Sequence, residues 1–170
     1  MPDKRIGILR GLVLSFIIII LDQITKIVAA QELMLGESLP VFSWLNITLL
    51  HNTGAAFSFL SDAGGWQRLF FIVLASVVSL FILFWMYSLS EKKKWLFFAL
   101  AFVLGGALGN LWDRVTLGYV IDFIDVSLSF LPWRIFNPWP AFNIADSAIF
   151  IGAVMLIIDA IWLDDSENES

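Results

Sequence analysis

The sequence predicts a membrane protein, with an all-α core of four transmembrane helices carrying a small extracytoplasmic β-rich platform. Three observations predict it. Hydrophobic residues make up 59% of the 170 and the mean hydropathy is +0.87. Four apolar stretches, at about 12–30, 69–89, 95–112 and 144–163, each hold about 18 to 21 residues; as helices they rise about 27 to 32 Å, the thickness of a hydrocarbon core. Between spans lie two segments, about 40–62 and 115–136, rich in β-branched and aromatic residues such as PVFSWLNITLL and VTLGYVIDFIDV, which is the composition of strands. Residues 1–170 are room for a single domain.

The first span follows Lys4, Arg5 and Arg10, and Lys92, Lys93 and Lys94 lie between the second and third. The excess of basic residues in these two places assigns both to the cytoplasm. An even number of spans then puts both termini inside and the β-rich segments outside. The basic start, the apolar run and VAA before Gln31 also fit a cleavable signal peptide. Asp22, Gln23 and Lys26 interrupt that run, and its length suffices to span, so it is read as a retained helix. Trp44, Trp66, Trp112, Trp133 and Trp139 fall near the outer boundaries, where indole rings settle. The third span ends in GGALGNLWDR, whose Gly105 and Gly109 permit close helix packing. Asp159, late in the fourth span, reads as an inner-interface residue beside Asp164 and Asp165, and the tail DDSENES as a solvated terminus.

Several chemistries are excluded. There is no cysteine and one histidine, His51, so neither a thiol nucleophile nor a thiolate or paired-histidine metal site is available. HExxH, GxSxG and P-loop patterns are absent. No metal and no cofactor is expected. A net charge of -5 argues against nucleic acid as a partner.

The remaining signal is a set of polar residues where a membrane protein tolerates few. Asp22 and Lys26 in LDQITK are four apart on one helical face, so they can form an internal ion pair or serve a neighbouring site. Asn110, Asp113 and Arg114 close the third span; Asp113 and Arg114 also read as an interfacial pair. Asp122 sits in the apolar run YVIDFID, with Asp125 at a more solvated edge. Asp146 opens the fourth span three residues after Asn143. Asn52 lies in the turn-prone HNTGA, and His51 and the neighbouring Phe57 and Phe59 read as boundary and packing residues. Two carboxylates brought within a few ångströms cannot easily both ionise; one keeps a proton and the other does not. Such a pair can activate water and protonate a carbonyl, which is peptide hydrolysis. Two membrane aspartates could equally relay protons in a small proton- or ion-coupled transporter, or serve assembly. Polar groups confined to the outer side make a poor pathway across the membrane.

Five stretches, in order, resemble the lipoprotein signal peptidase family, also called signal peptidase II: LDQITK at 21–26, HNTGAAFSFL at 51–60, GGALGNLWDR at 105–114, YVIDFI at 119–124 and FNIADSAI at 142–149. The resemblance runs from about residue 10 to about 162. It implies an intramembrane aspartic endopeptidase of the bacterial inner membrane, with its active site toward the periplasm. The implied substrate is a diacylglyceryl-modified prolipoprotein, cut just before the lipidated cysteine to release the signal peptide. By motif match, Asp122 and Asp146 are the catalytic pair, and Asn52, Asp22, Lys26, Asn110, Arg114 and Asn143 bind substrate or order the site. Membrane lipid and globomycin-type inhibitors are the other implied partners.

Overall fold

The computed structural model describes residues 2–54, 64–90, 93–127 and 139–163. The expectations for Phe57, Phe59, Trp133, Lys92, Asp164 and Asp165, and most of the loop 52–65, lie outside these residues. The described chain forms four long helices, α1 (Pro2–Glu32), α2 (Trp66–Ser88), α3 (Lys94–Thr116) and α4 (Ile144–Ile158), the last continued by a π-helical turn over Asp159–Leu163. All four are long and apolar enough to cross a membrane. Three strands, β1 (Ser38–Phe42), β2 (Leu45–Asn52) and β3 (Val120–Val126), form one antiparallel sheet in the order β1-β2-β3.

α3 is the central helix. It packs against α1, α2 and α4, and 61% of its apolar window is buried within the protein against 17% for α2 and for α4. Met86, Leu100 and Leu104 fill the core, while α2 turns Leu69, Phe81 and Phe84 outward, as a lipid-facing helix should. The glycines of α3 allow the close approach. A Cβ on Gly106 would strike the carbonyl oxygen of Ala145 on α4, and one on Gly109 would lie 2.8 Å from Asp22 Oδ2 on α1. Two helices, α1 and α4, therefore converge on the last turns of α3.

α3 outlasts the expected end of the third span. Asp113 and Arg114 are helical, and residues 115–116, expected in the platform, still belong to the helix. The stop comes at Gly118, whose φ of 91° is left-handed; Leu117 and Gly118 both donate their N–H to Asp113 O, at 2.7 and 3.2 Å, satisfying a last-turn carbonyl as glycine-terminated helices do. The turn feeds directly into β3. Pro40 lies in the edge strand β1, where its missing N–H takes nothing from the ladder. The other edge of β3 is covered by the chain ahead of α4: Ile124 N donates to Phe142 O at 2.8 Å and Phe142 N to Ile124 O at 3.0 Å. This short pairing brings the start of α4 beside β3.

Candidate active site

Asn143 is the N-cap of α4. Its side-chain Oδ1 accepts from Asp146 N at 2.9 Å, and Asp146 Oδ2 accepts from Asn143 N at 3.2 Å, a reciprocal capping box. Asp146 is thus fixed as part of the helix start. Because Asn143 Oδ1 is occupied by that cap, its Nδ2 faces the other way and donates to Asp122 Oδ1 at 2.7 Å. One asparagine therefore holds an aspartate with each end, which joins Asp122 of β3 to Asp146 of α4.

The second oxygen of each carboxylate is held in the same manner. Asn52, at the end of β2, accepts from Gly54 N at 3.0 Å and so turns its Nδ2 to Asp122 Oδ2 at 2.9 Å. Asn110 of α3 accepts from Lys26 Nζ at 3.0 Å and turns its Nδ2 to Asp146 Oδ1 at 2.7 Å. All four carboxylate oxygens receive a donor, and none of the three amides offers a free carbonyl toward the pair. A proton kept on either aspartate therefore finds no free amide carbonyl to donate to among these three asparagines. Asp122 is 3% exposed. Burial first, and then the neighbouring Asp146 carboxylate, push its pKa up to about 7, partly offset by the amides of Asn52 and Asn143. Asp122 therefore carries its proton at pH values where an ordinary aspartate has lost it.

Behind the pair lies an ion cluster. Lys26 Nζ is 2.8 Å from Asp22 Oδ2 and 2.9 Å from Asp113 Oδ2, with all three side chains nearly inaccessible. Asp22 and Lys26 form the expected pair. Asp113 does not pair with Arg114: consecutive residues on a helix point about 100° apart, so they cannot face each other. Arg114 instead donates to Gly54 O at 3.0 Å and lies over the ring of Phe71, 5.0 Å from its centroid. Gln23 Nε2 braces Asp113 Oδ1 at 2.8 Å. Asp113 and Gln23 are the members of the cluster that the sequence reading left out of the site. The available signal was the ammonium itself, since a buried lysine has three N–H groups to satisfy and Asp22 supplies one acceptor.

Asn52, Asn110, Arg114, Asp122 and Asp146 line one end of a cavity of about 880 Å³. Apart from Ser147 the rest of its wall is apolar, including Phe71, Leu74 and Val78 of α2 and Ile149, Phe150 and Ile151 of α4. Leu74, Phe150 and Ile151 are also exposed on the outer flank of the bundle, so the cavity opens sideways between α2 and α4. Asn143 lies behind the wall, fully buried; Asp22 and Lys26 are likewise buried and contribute none of the lining. Asp125 is outside the cavity, accepting from Thr48 Oγ1 at 3.0 Å, and His51 stacks on Tyr119 with ring centroids 3.8 Å apart. Among the described residues no group of three or more His, Cys, Asp or Glu is arranged to hold a metal ion.

Comparison with known proteins gives concordant matches. The family model described as signal peptidase (SPase) II matches residues 14–162. A lipoprotein signal peptidase of Acinetobacter baumannii is 53% identical over 89% of this chain and 82% of its own length, and one of Alteromonas mediterranea is 50% identical over 95% of this chain and 85% of its own. A solved bacterial membrane enzyme superposes with a TM-score of 0.80 at 31% identity, covering 95% of this chain and 92% of that one. The matched region contains every helix-borne and strand-borne group of the aspartate cluster, and the chain belongs to the signal peptidase II family.

Proposed function

We propose that this signal peptidase II hydrolyses its substrate by an aspartic mechanism, with Asp122 and Asp146 as the catalytic pair. The chain is a protease that removes signal peptides from prolipoproteins, and a multi-pass protein of the bacterial inner membrane. The observation that carries the aspartic reading is the arrangement about Asn143, which holds both carboxylates at the polar end of an otherwise apolar cavity.

In this reading Asp146 is the ionised partner, favoured by the partial positive charge of the α4 N-terminus. It takes a proton from water as the oxygen attacks the scissile carbonyl carbon. Asp122, protonated near neutral pH, gives its proton to the carbonyl oxygen. The tetrahedral intermediate collapses as the C–N bond breaks and the proton held by Asp146 passes to the departing amine. The carbonyl re-forms and Asp122 recovers its proton. Asn52 and Arg114, at the same end of the cavity, donate to the peptide on either side of the cut.

The apolar remainder of the cavity suits acyl chains, which supports a diacylglyceryl-modified prolipoprotein cut before the lipidated cysteine. Such a substrate keeps its acyl chains in the bilayer and approaches between α2 and α4. A globomycin-type inhibitor would occupy the same space, with a hydroxyl group between the two carboxylates. The positive-inside bias supports cytoplasmic termini and a site facing the periplasm.

The test is cleavage of a diacylglyceryl prolipoprotein by the purified protein, with a metal chelator present throughout. Cleavage by the parent chain, lost by about 10³-fold or more in Asp122→Asn and in Asp146→Asn, is the expected result. Full activity in either variant removes that residue from the pair.

A further inference from the structure

We propose that the end of the helical bundle remote from the aspartate pair binds one phospholipid whose headgroup joins a phosphodiester to a primary ammonium, as in phosphatidylethanolamine. The site is a second cavity, of about 470 Å³, a size within the range of about 300–1,000 Å³ usual for small-molecule sites. It lies where α2 ends, α3 begins and α4 runs into its π-helical turn. Its apolar lining includes Leu89, Leu96 and Leu156. Its polar side chains include Ser90 and Lys93, from the connection between α2 and α3, and Asp159, the first residue of the π-helical turn. The inference stands apart from the aspartic reading and needs only that the four helices cross the bilayer.

Both charges sit where their own helices disfavour them. Lys93 is the N-cap residue of α3, whose first turn has no acidic residue, and Asp159 is the C-cap residue of α4, whose last turn has no basic one. A helix start carries partial positive charge and a helix end partial negative charge, so a lysine at the first and a carboxylate at the second each oppose the local field. A zwitterion in the cavity offsets both. Its phosphate would lie against Lys93, and its ammonium against Asp159. The basic bias of the connection between α2 and α3 accounts for Lys93 by itself, but it gives no reason for a carboxylate on the same cavity.

The carboxylate is held in place without a ligand. Met155 O accepts from Trp95 Nε1 of α3 at 2.9 Å and also from Asp159 N, so the point where α4 gives way to the wider turn is pinned to α3. Such π-helical turns recur at functional sites. The leucines would meet the glycerol end and first methylenes of the lipid, and the polar side chains its headgroup. Selectivity follows from the count of donors. A primary ammonium brings three N–H groups to Asp159, and the trimethylammonium of phosphocholine brings none. A phosphoglycerol headgroup has no cation and sets its net negative charge against Asp159.

The experiment takes the purified full chain in detergent and titrates it with phosphatidylethanolamine, phosphatidylcholine or phosphatidylglycerol of the same acyl chains. Native mass spectrometry counts the lipids retained per chain. The expected result is one phosphatidylethanolamine held about tenfold more tightly than either of the others, the effect of one charge-assisted hydrogen bond. The parent's own selectivity tests the proposal without any variant, and equal retention of the three lipids would overturn it. Asp159→Asn should abolish the preference over phosphatidylcholine, and Lys93→Gln should weaken all three lipids. Both residues are remote from the aspartate pair, so both variants should cleave prolipoprotein in detergent at the parent rate, which reports that they are folded. A preference that survives in Asp159→Asn would place the lipid elsewhere and overturn the proposal. Soluble glycerophosphoethanolamine at the same concentration should not displace the bound lipid; if it does, the ligand is a free phosphodiester and the lipid assignment fails.

Discussion

At the scale of single residues, the site is a problem of donors and acceptors. Each of the three asparagines has its carbonyl engaged, by Gly54 N, Lys26 Nζ or Asp146 N, and each is thereby forced to present its amide N–H to an aspartate. The donors oppose burial but do not cancel it at Asp122, whose pKa stands at about 7 against an ordinary 3.8. Between those values the folded protein holds a proton that the unfolded chain releases. The resulting stabilisation is complete below about pH 4 and is lost as pH rises through about 7. The melting temperature of the parent should therefore fall more steeply between pH 5 and pH 8 than that of Asp122→Asn, and differential scanning fluorimetry at a series of pH values checks it. Parallel curves would mean that Asp122 titrates in the folded state as it does in the unfolded chain. Asn143→Ala should remove the helix cap and the bridge together. A stability loss of about 1 kcal/mol is the ordinary effect of losing a cap, but the fall in kcat should be far larger than so small a destabilisation explains, and cleavage assays beside urea unfolding separate the two.

At the scale of elements, the site depends on how closely α3 approaches its neighbours. Gly109→Ala would set a methyl 2.8 Å from Asp22 Oδ2 and 3.3 Å from Ala145 Cβ. The expected result is a destabilisation of about 1–3 kcal/mol, typical of overpacking, with activity lost because both contacts lie on the route to Asp146. A variant with parent activity would show that α1 and α4 can retreat without moving the pair. The helices were legible in the sequence because spanning length and continuous apolarity are local properties. So were Asp22, Lys26, Asp122 and Asp146, since a charge within an apolar run stands out by contrast. The pairing of Phe142 with Ile124 was not legible: it joins residues separated by a long segment, and nothing local in FNIAD announces a strand bridge. The extent of α3 was missed for a similar reason. WDRVT loses the apolar signal that marks a span, yet the helix persists until Gly118 supplies a left-handed turn. Asp113 was misread because Arg114 is its neighbour in sequence, while its partner Lys26 is its neighbour in space.

At the scale of the whole molecule, the four helices act as a frame that suspends one polar cluster at one end of an apolar body. The proposed orientation is open to a direct check, because the chain has no cysteine. Single cysteines at Met34 and at Ser90, both exposed, should label differently with a membrane-impermeant maleimide. Met34→Cys should react in intact spheroplasts and Ser90→Cys only after permeabilisation. The opposite pattern would invert the protein and move the site to the cytoplasmic face.

The sideways opening between α2 and α4 has a kinetic consequence. An enzyme entered from the bilayer meets its substrate by two-dimensional diffusion, so its turnover follows the mole fraction of substrate among the lipids and not the amount per volume of buffer. Adding inert lipid at constant protein and substrate slows it. On the proposed route, the released signal peptide, itself apolar, would stay in the same two-dimensional phase. It would then compete with incoming substrate, and added synthetic signal peptide should slow cleavage.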